Sequence, residues 1–289
     1  MVLFKESAPA KVNLTLKVLG KRTDGYHELM SLVVFADEGD RLELVPGEKI
    51  SLTLEGPFAA ALEGEDNLVL KTVHLLAEHC PSMCAGAFKL DKRLPVAAGL
   101  GGGSADAAAA LRLLVKANPG QITAKIISGA ARRLGADVTA CLDSGAVFMQ
   151  GRGDELRPVK KLPALPAVLV NPGLQLGAGD VYEALGAKPL EKTSAADTID
   201  RSPVTSVADL VHYIRETGND LEAAATKLAP AIAEVRAALS ATEGCLVAQM
   251  SGSGPTCFGL FSRGETAGAA ARTLAESHPD WWVLATELG

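Results

Sequence analysis

The sequence predicts an α+β fold in two domains, and three observations carry that prediction. Strand-like and helix-like segments are mixed but do not strictly alternate, which argues against a doubly wound sheet. The organisation changes near Pro158–Pro166, which sets residues 1–157 apart from residues 158–289. The 289 residues, 48% of them hydrophobic, lie between one large domain and two ordinary ones and supply ample core.

The elements follow in order. Val12, Leu14, Leu16 and Val18 alternate with polar residues, so Val12–Leu19 reads as a half-buried strand with Lys11, Asn13, Thr15 and Lys17 on its other face. Asp24-Gly25 is a turn signal, and strands follow at Arg41–Val45 and Ile50–Leu54. Asp66 or Asn67 caps a helix through Leu68, Val69, Val73 and Leu76. Phe88–Leu90 is a strand, Ala105–Ala117 a strong helix by propensity, and Thr123–Leu134 a helix closed by Gly135. Val147–Met149 is extended, and Ala167–Val170 is a short apolar strand. Lys188–Ser206 reads as a long polar loop. Helices are expected at Val207–Glu216 and at Leu221–Ser240, the second interrupted at Pro230. Strands at Cys245–Met250 and Thr256–Phe261, a helix at Glu265–Ser277 and a strand at Trp281–Thr286 complete the chain.

Composition excludes several functions. With 28 basic and 34 acidic side chains the net charge is −6, which argues against broad binding to nucleic acid or to an anionic membrane. No apolar run reaches the length of a membrane span, and Met1–Glu6 lacks the apolar core of a signal peptide. Five cysteines, an odd number in a large chain, read as reduced thiols of a cytoplasmic protein. His74, His79, Cys80 and Cys84 lack the second pair that a metal site needs.

The segment Pro95-Val96-Ala97-Ala98-Gly99-Leu100-Gly101-Gly102-Gly103-Ser104 opens directly into the helix that begins at Ala105. Glycine admits positive φ and lets a ligand approach the amides, and a helix start presents free N–H groups, so the pair forms an anion site suited to phosphate. Ser104 is the expected N-cap. No Lys-Ser or Lys-Thr follows the glycines, and the third residue after Gly101 is Ser104, so neither the P-loop nor the dinucleotide fingerprint is met. Ser251-Gly252-Ser253-Gly254-Pro255 forms a second glycine loop between two apolar strands. Phosphoryl transfer also needs a cation and a base. Lys11 and Asp137 are candidates, although nothing in their spacing makes them meet.

The run PVAAGLGGGSA, Pro95–Ala105, resembles the phosphate-binding motif of the GHMP kinases. The segment from Ala8 to His27, with Ala-Lys-Val-Asn and Lys-Arg-Thr-Asp-Gly-Tyr-His, and Ser251–Phe261, SGSGPTCFGLF, are similar to the N-terminal and C-terminal motifs of one branch of that family, in the family's order. The resemblance implies an N-terminal ATP-binding domain of the ribosomal protein S5 domain 2 type and a ferredoxin-like C-terminal domain. It implies ATP, with which Mg²⁺ is expected on chemical grounds, and phosphorylation of the 2-hydroxyl of a cytidine diphosphate-linked methylerythritol on the non-mevalonate route to isopentenyl diphosphate. Asp137 would take the hydroxyl proton, Lys11 would hold and orient Asp137, and residues 95–105 would cradle ATP. His27 would read the cytosine edge, Tyr26 and Tyr182 would lie against the base, and Asn13 would position the methylerythritol.

The protein ligands of Mg²⁺ are left open, with Ser104 the hydroxyl nearest the motif. The implied partner is a small molecule, with no nucleic acid and no membrane, for a cytoplasmic monomer or homodimer. Thr139 stands where the family often has Pro. The alternatives are a kinase of the same family acting on homoserine or mevalonate, which would have no cytosine to read, and a non-catalytic nucleotide-binding regulator, which would not need both Lys11 and Asp137.

Overall fold

The structure, a computed structural model, describes residues 2–62, 67–160, 162–190 and 206–289. The chain divides into two compact units, each assembled from several segments. The first takes Met1–Lys11, Glu38–Val96 and Gly101–Ser144; the second takes Val12–Asp37, Ala97–Leu100 and Gly145–Gly289.

The first unit holds most of β1 (Phe4–Asn13), the second half of β3 (His27–Val45), β4 (Ser51–Glu55) and β5 (Ala87–Asp91). β5 pairs antiparallel with β3, Arg41 opposite Asp91, and parallel with β4; β1 also pairs with β3. Four helices belong to this unit: α1 (Leu68–His79), α2 (Gly102–Ala117), α3 (Ala124–Leu134) and α4 (Ala136–Cys141). α1 starts where the Asn67 side chain accepts from Val69 N at 2.8 Å. Thr123 caps α3 in the same way. α2 buries the Ala105–Leu111 stretch completely, and its alanines let α1 and α4 pack closely against it.

The second unit begins with β2 (Lys17–Lys21), paired with the first half of β3. Their turn lies at Asp24-Gly25, where Arg22 N donates to Tyr26 O at 2.8 Å and Gly25 has φ +88°. β6 (Val147–Gly151) pairs with β3 and with β7 (Glu155–Pro158). β8 (Leu165–Asn171), β9 (Cys245–Met250), β10 (Cys257–Phe261) and β11 (Trp282–Leu288) form an antiparallel sheet in the order β11-β8-β10-β9. α5 (Ala178–Leu185), α6 (Val207–Thr217), α7 (Glu222–Leu228), α8 (Ala231–Ala241) and α9 (Gly264–Ser277) complete the unit. Val235 and Leu239 of α8 and Leu274 of α9 share a core with Val168, Val170 and Phe261 of that sheet. Among the described residues no helix is long and apolar enough to cross a membrane.

Four expectations need correction. The first strand is two, because β1 ends at Asn13 and the chain leaves β3: Leu16 N donates to Gly218 O at 3.0 Å before β2 begins. Its polar face is also buried, since Lys11, Asn13 and Thr15 are each less than 5% exposed. Ser31 and Leu32 supply hydrogen bonds there: Asn13 Nδ2 donates to Ser31 Oγ at 2.7 Å and Leu32 N to Thr15 Oγ1 at 3.1 Å. The strand seen at Arg41–Val45 is the end of the much longer β3. Finally, Ser104 is not the N-cap. α2 starts at Gly102, with Gly101 as the cap in a left-handed conformation, so Ser104 lies in the first turn. Pro230 does divide its helical segment, standing between α7 and α8. Most of the expected 188–206 loop lies outside the described residues.

Candidate active site

In the first unit the structure brings Lys11 and Asp137 together, Nζ to Oδ1 at 3.4 Å. The Lys11 side chain is only 5% exposed, whereas that of Asp137 is 41% exposed. A buried ammonium beside a carboxylate that still reaches solvent leaves the carboxylate open to a reacting group. Local sequence explains each position. Lys11 lies near the end of β1, and Gly135, at φ +154°, turns the chain from α3 into α4 so that Asp137 falls in the first turn of the new helix. Arg112 of α2 joins the two supports. It donates to Glu6 Oε2 and Ser7 O on β1, both at 2.7 Å, and to Cys141 O at 2.9 Å at the end of α4. Burial, with Asp137 nearby, pushes the Cys141 thiol up to about 12, so it stays protonated.

The start of α2 lies against this pair. A Cβ on Gly101, which has φ +61°, would stand 3.0 Å from Cε and 3.2 Å from Cβ of Lys11. Gly101 therefore supplies both the left-handed cap and the close approach. Beyond it, the first amides of α2 are free of intrahelical partners, which is the arrangement that binds phosphate.

In the second unit the two glycine loops touch. Ser251 Oγ donates to Gly99 O at 3.0 Å, and a Cβ on Gly99 would be 2.4 Å from Ser251 O. Asn13 N donates to Ser251 Oγ at 3.1 Å, so Asn13 is buried beside the second loop. Around the β2–β3 turn, the His27 ring stacks on Tyr182 of α5 with centroids 4.7 Å apart and planes 20° from parallel. Tyr26 is 58% exposed and lies under the Arg152 guanidinium, 5.1 Å from its centroid. Burial and the Lys21 ammonium hold the His27 imidazole below its ordinary range, which keeps it neutral with one ring nitrogen donating and the other accepting.

Comparison with known proteins adds independent evidence. Residues 67–145 match the GHMP kinases N-terminal domain and residues 196–280 the GHMP kinases C-terminal domain. A 4-diphosphocytidyl-2-C-methyl-D-erythritol kinase from Bradyrhizobium sp. is 47% identical across 99% of this chain and 96% of its own. Its counterpart in Rhodopseudomonas palustris is 49% identical across 99% and 97%.

This chain belongs to the 4-diphosphocytidyl-2-C-methyl-D-erythritol kinase branch of the GHMP kinases.

A crystal structure of a 4-(cytidine 5'-diphospho)-2C-methyl-D-erythritol kinase, 33% identical, superposes with a TM-score of 0.77 over 99% of both chains. The homoserine kinase of Cytophaga hutchinsonii, 20% identical over 98% of this chain and 94% of its own, shares the fold at 0.71. The expected mixed α+β architecture with N-terminal and C-terminal GHMP domains is the one found.

Two features of this GHMP kinase escaped the sequence reading. One is Arg152 over Tyr26, which only the pairing of β6 with β3 brings near the turn. The other is a buried triad of Asp40, Lys92 and Asp106. Lys92 Nζ donates to Asp40 Oδ2 at 2.5 Å and to Asp106 Oδ2 at 2.7 Å, and all three side chains are at most 4% exposed. Burial opposes the Lys92 charge, but Asp106 and Asp40 outweigh it and raise its pKa. Burial pushes Asp106 up to about 7 against the pull of Lys92, and Asp40 adds to the rise. The lone acid in the alanine run of α2 was the available signal, since a helix face that is otherwise apolar buries its exceptions.

Proposed function

We propose that this chain transfers the γ-phosphate of ATP to the 2-hydroxyl of 4-diphosphocytidyl-2-C-methyl-D-erythritol, the acceptor named by its close relatives. The observation that carries the reading is the Lys11–Asp137 pair packed beside the start of α2. Asp137 accepts the hydroxyl proton as the acceptor oxygen bonds to the γ-phosphorus. The bond from that phosphorus to the bridging oxygen breaks, and ADP leaves. Lys11 orients Asp137 and offsets charge that builds on the transferring group. The free amides of α2 and the glycine segment hold the phosphates.

Mg²⁺ would supply charge neutralisation between the phosphates. Ser104, in the first turn of α2 beside the glycine-rich segment, offers the hydroxyl that would help hold the metal with the nucleotide. His27, neutral and able to both donate and accept, reads the cytosine edge, while Tyr26 and Tyr182 offer aromatic faces to the base. Asn13 helps position the methylerythritol. Residues 1–157 carry nucleotide binding and catalysis, and residues 158–289 form the C-terminal domain that includes Tyr182.

A coupled ADP-release assay with the cytidylated acceptor, homoserine and mevalonate in parallel tests the proposal. Turnover of the cytidylated acceptor alone supports it. Turnover of another acceptor overturns the role given to Tyr26 and His27, and no turnover by folded, ATP-binding protein overturns the kinase chemistry.

A further inference from the structure

The glycine-rich segment is flanked on both sides by the same three buried side chains, Asp40, Lys92 and Asp106. Asp40 Oδ1 accepts from Arg93 N at 2.6 Å and from Leu94 N at 2.8 Å, immediately before Pro95. Its other oxygen holds Lys92, whose ammonium passes to Asp106 in the first turns of α2. Lys92 N is itself fixed by Glu55 O of β4 at 2.7 Å. A Cβ on Gly102 would stand 3.1 Å from Lys92 Nζ and 3.5 Å from Asp40 Oδ2, so the first residue of α2 rests on the triad. Asp106 Oδ1 is buried with no hydrogen-bond partner among the described residues.

Three buried ionisable groups are a poor way to stabilise a core, because apolar side chains of similar volume do as well or better. What the triad supplies is direction: each bond has one geometry, and together they join residues 92–94 to Gly102 and Asp106 across the loop. We propose that Asp40, Lys92 and Asp106 are positioning residues for the nucleotide, a clamp that holds the two ends of the glycine-rich segment in register so that the α2 amides stay aimed at the phosphates. The inference rests on ATP use by this kinase and not on the identity of the acceptor. The effect passes through the loop, since the Lys92 ammonium is already committed to two carboxylates.

The test is ADP binding by calorimetry with Mg²⁺ present, with CDP binding in the same preparations as the reference. Asp106→Leu leaves a balanced Lys92–Asp40 pair and frees the helix end; Asp106→Ala carries the same test if leucine overfills the site. Asp106→Asn keeps an oxygen for Lys92. The expected result is ADP affinity at least tenfold weaker in the leucine or alanine variant, CDP affinity unchanged within twofold, and recovery to within threefold of wild type with asparagine. In steady state, KM for ATP rises with the ADP dissociation constant while kcat at saturating ATP falls less than threefold.

Unchanged ADP affinity in the leucine and alanine variants overturns the clamp. So does an equal loss of ADP and CDP binding, which marks general loosening, and so does an asparagine variant as weak as alanine. Wild-type turnover of the cytidylated acceptor judges the kinase reading separately, because the ADP ratio between variants does not depend on it.

Discussion

Gly101 and Lys11 are in contact across the start of α2: a Cβ at position 101 would be 3.0 Å from Lys11 Cε, so the lysine would have to give by a few tenths of an ångström to admit a methyl group. The residue that bends the backbone into the helix thus also sets where the ammonium lies, and the ammonium in turn stands 3.4 Å from Asp137. Gly101→Ala should displace Lys11 and strain a left-handed cap at once, since φ is +61°. A roughly tenfold or larger fall in kcat is expected, because small misplacements of reacting groups are costly. Steady-state kinetics, with circular dichroism confirming the fold, checks this.

Asp137→Asn keeps size and removes the proton acceptor. It should lower kcat by about 10²–10⁴-fold, the usual worth of a positioned base. ADP and CDP affinities should stay near wild type, because the side chain is partly exposed and asparagine keeps its shape beside Lys11. Equal losses in binding and kcat would contradict the role.

His27 yields a pH dependence. Burial and Lys21 hold its imidazole below the ordinary value, so the folded protein protonates it only at a lower pH than a free imidazole requires. Below that point the ring gains a proton and loses its acceptor nitrogen. KM for the cytidylated acceptor should therefore rise on the acid side while KM for ATP stays flat, and the rise should disappear in His27→Asn. Kinetics between pH 5 and 8 measure it.

Thr139 tests a departure from the family pattern. Its Oγ1 is buried without a hydrogen-bond partner among the described residues. Thr139→Val preserves the shape and removes the stranded hydroxyl, so stability should rise by about 1 kcal/mol. A shift in the urea midpoint with unchanged slope would show it.

Much of the local structure was legible. Of the two candidates for the first helix cap Asn67 is the one used, and the break at Pro230 falls where its missing N–H requires. The glycine-rich segment was identified as a phosphate cradle, but its cap was misplaced. Any of its small residues satisfies local rules, and contact with Lys11 selects Gly101. α5, which carries Tyr182, went unnoticed because Gly177–Leu185 is short and follows a glycine-rich stretch with weak periodicity.

By itself the sequence determined the residue types and their spacing: a glycine run opening an alanine-rich helix, a lysine at one end of the chain, an acid just beyond Gly135 and a Tyr-His pair at a turn. Those features depend on neighbours within a few positions, where backbone propensity and capping act. Tertiary structure decided which of them meet. The pairing of β1 with β3 and the bridge from Arg112 to both β1 and α4 place Lys11 beside Asp137. Sheet pairing carries Asp40 to Lys92, and the burial of α2 turns Asp106 inward to join them. Partners so distant along the chain are joined only after strand register and helix packing are set, and no local pattern encodes that choice.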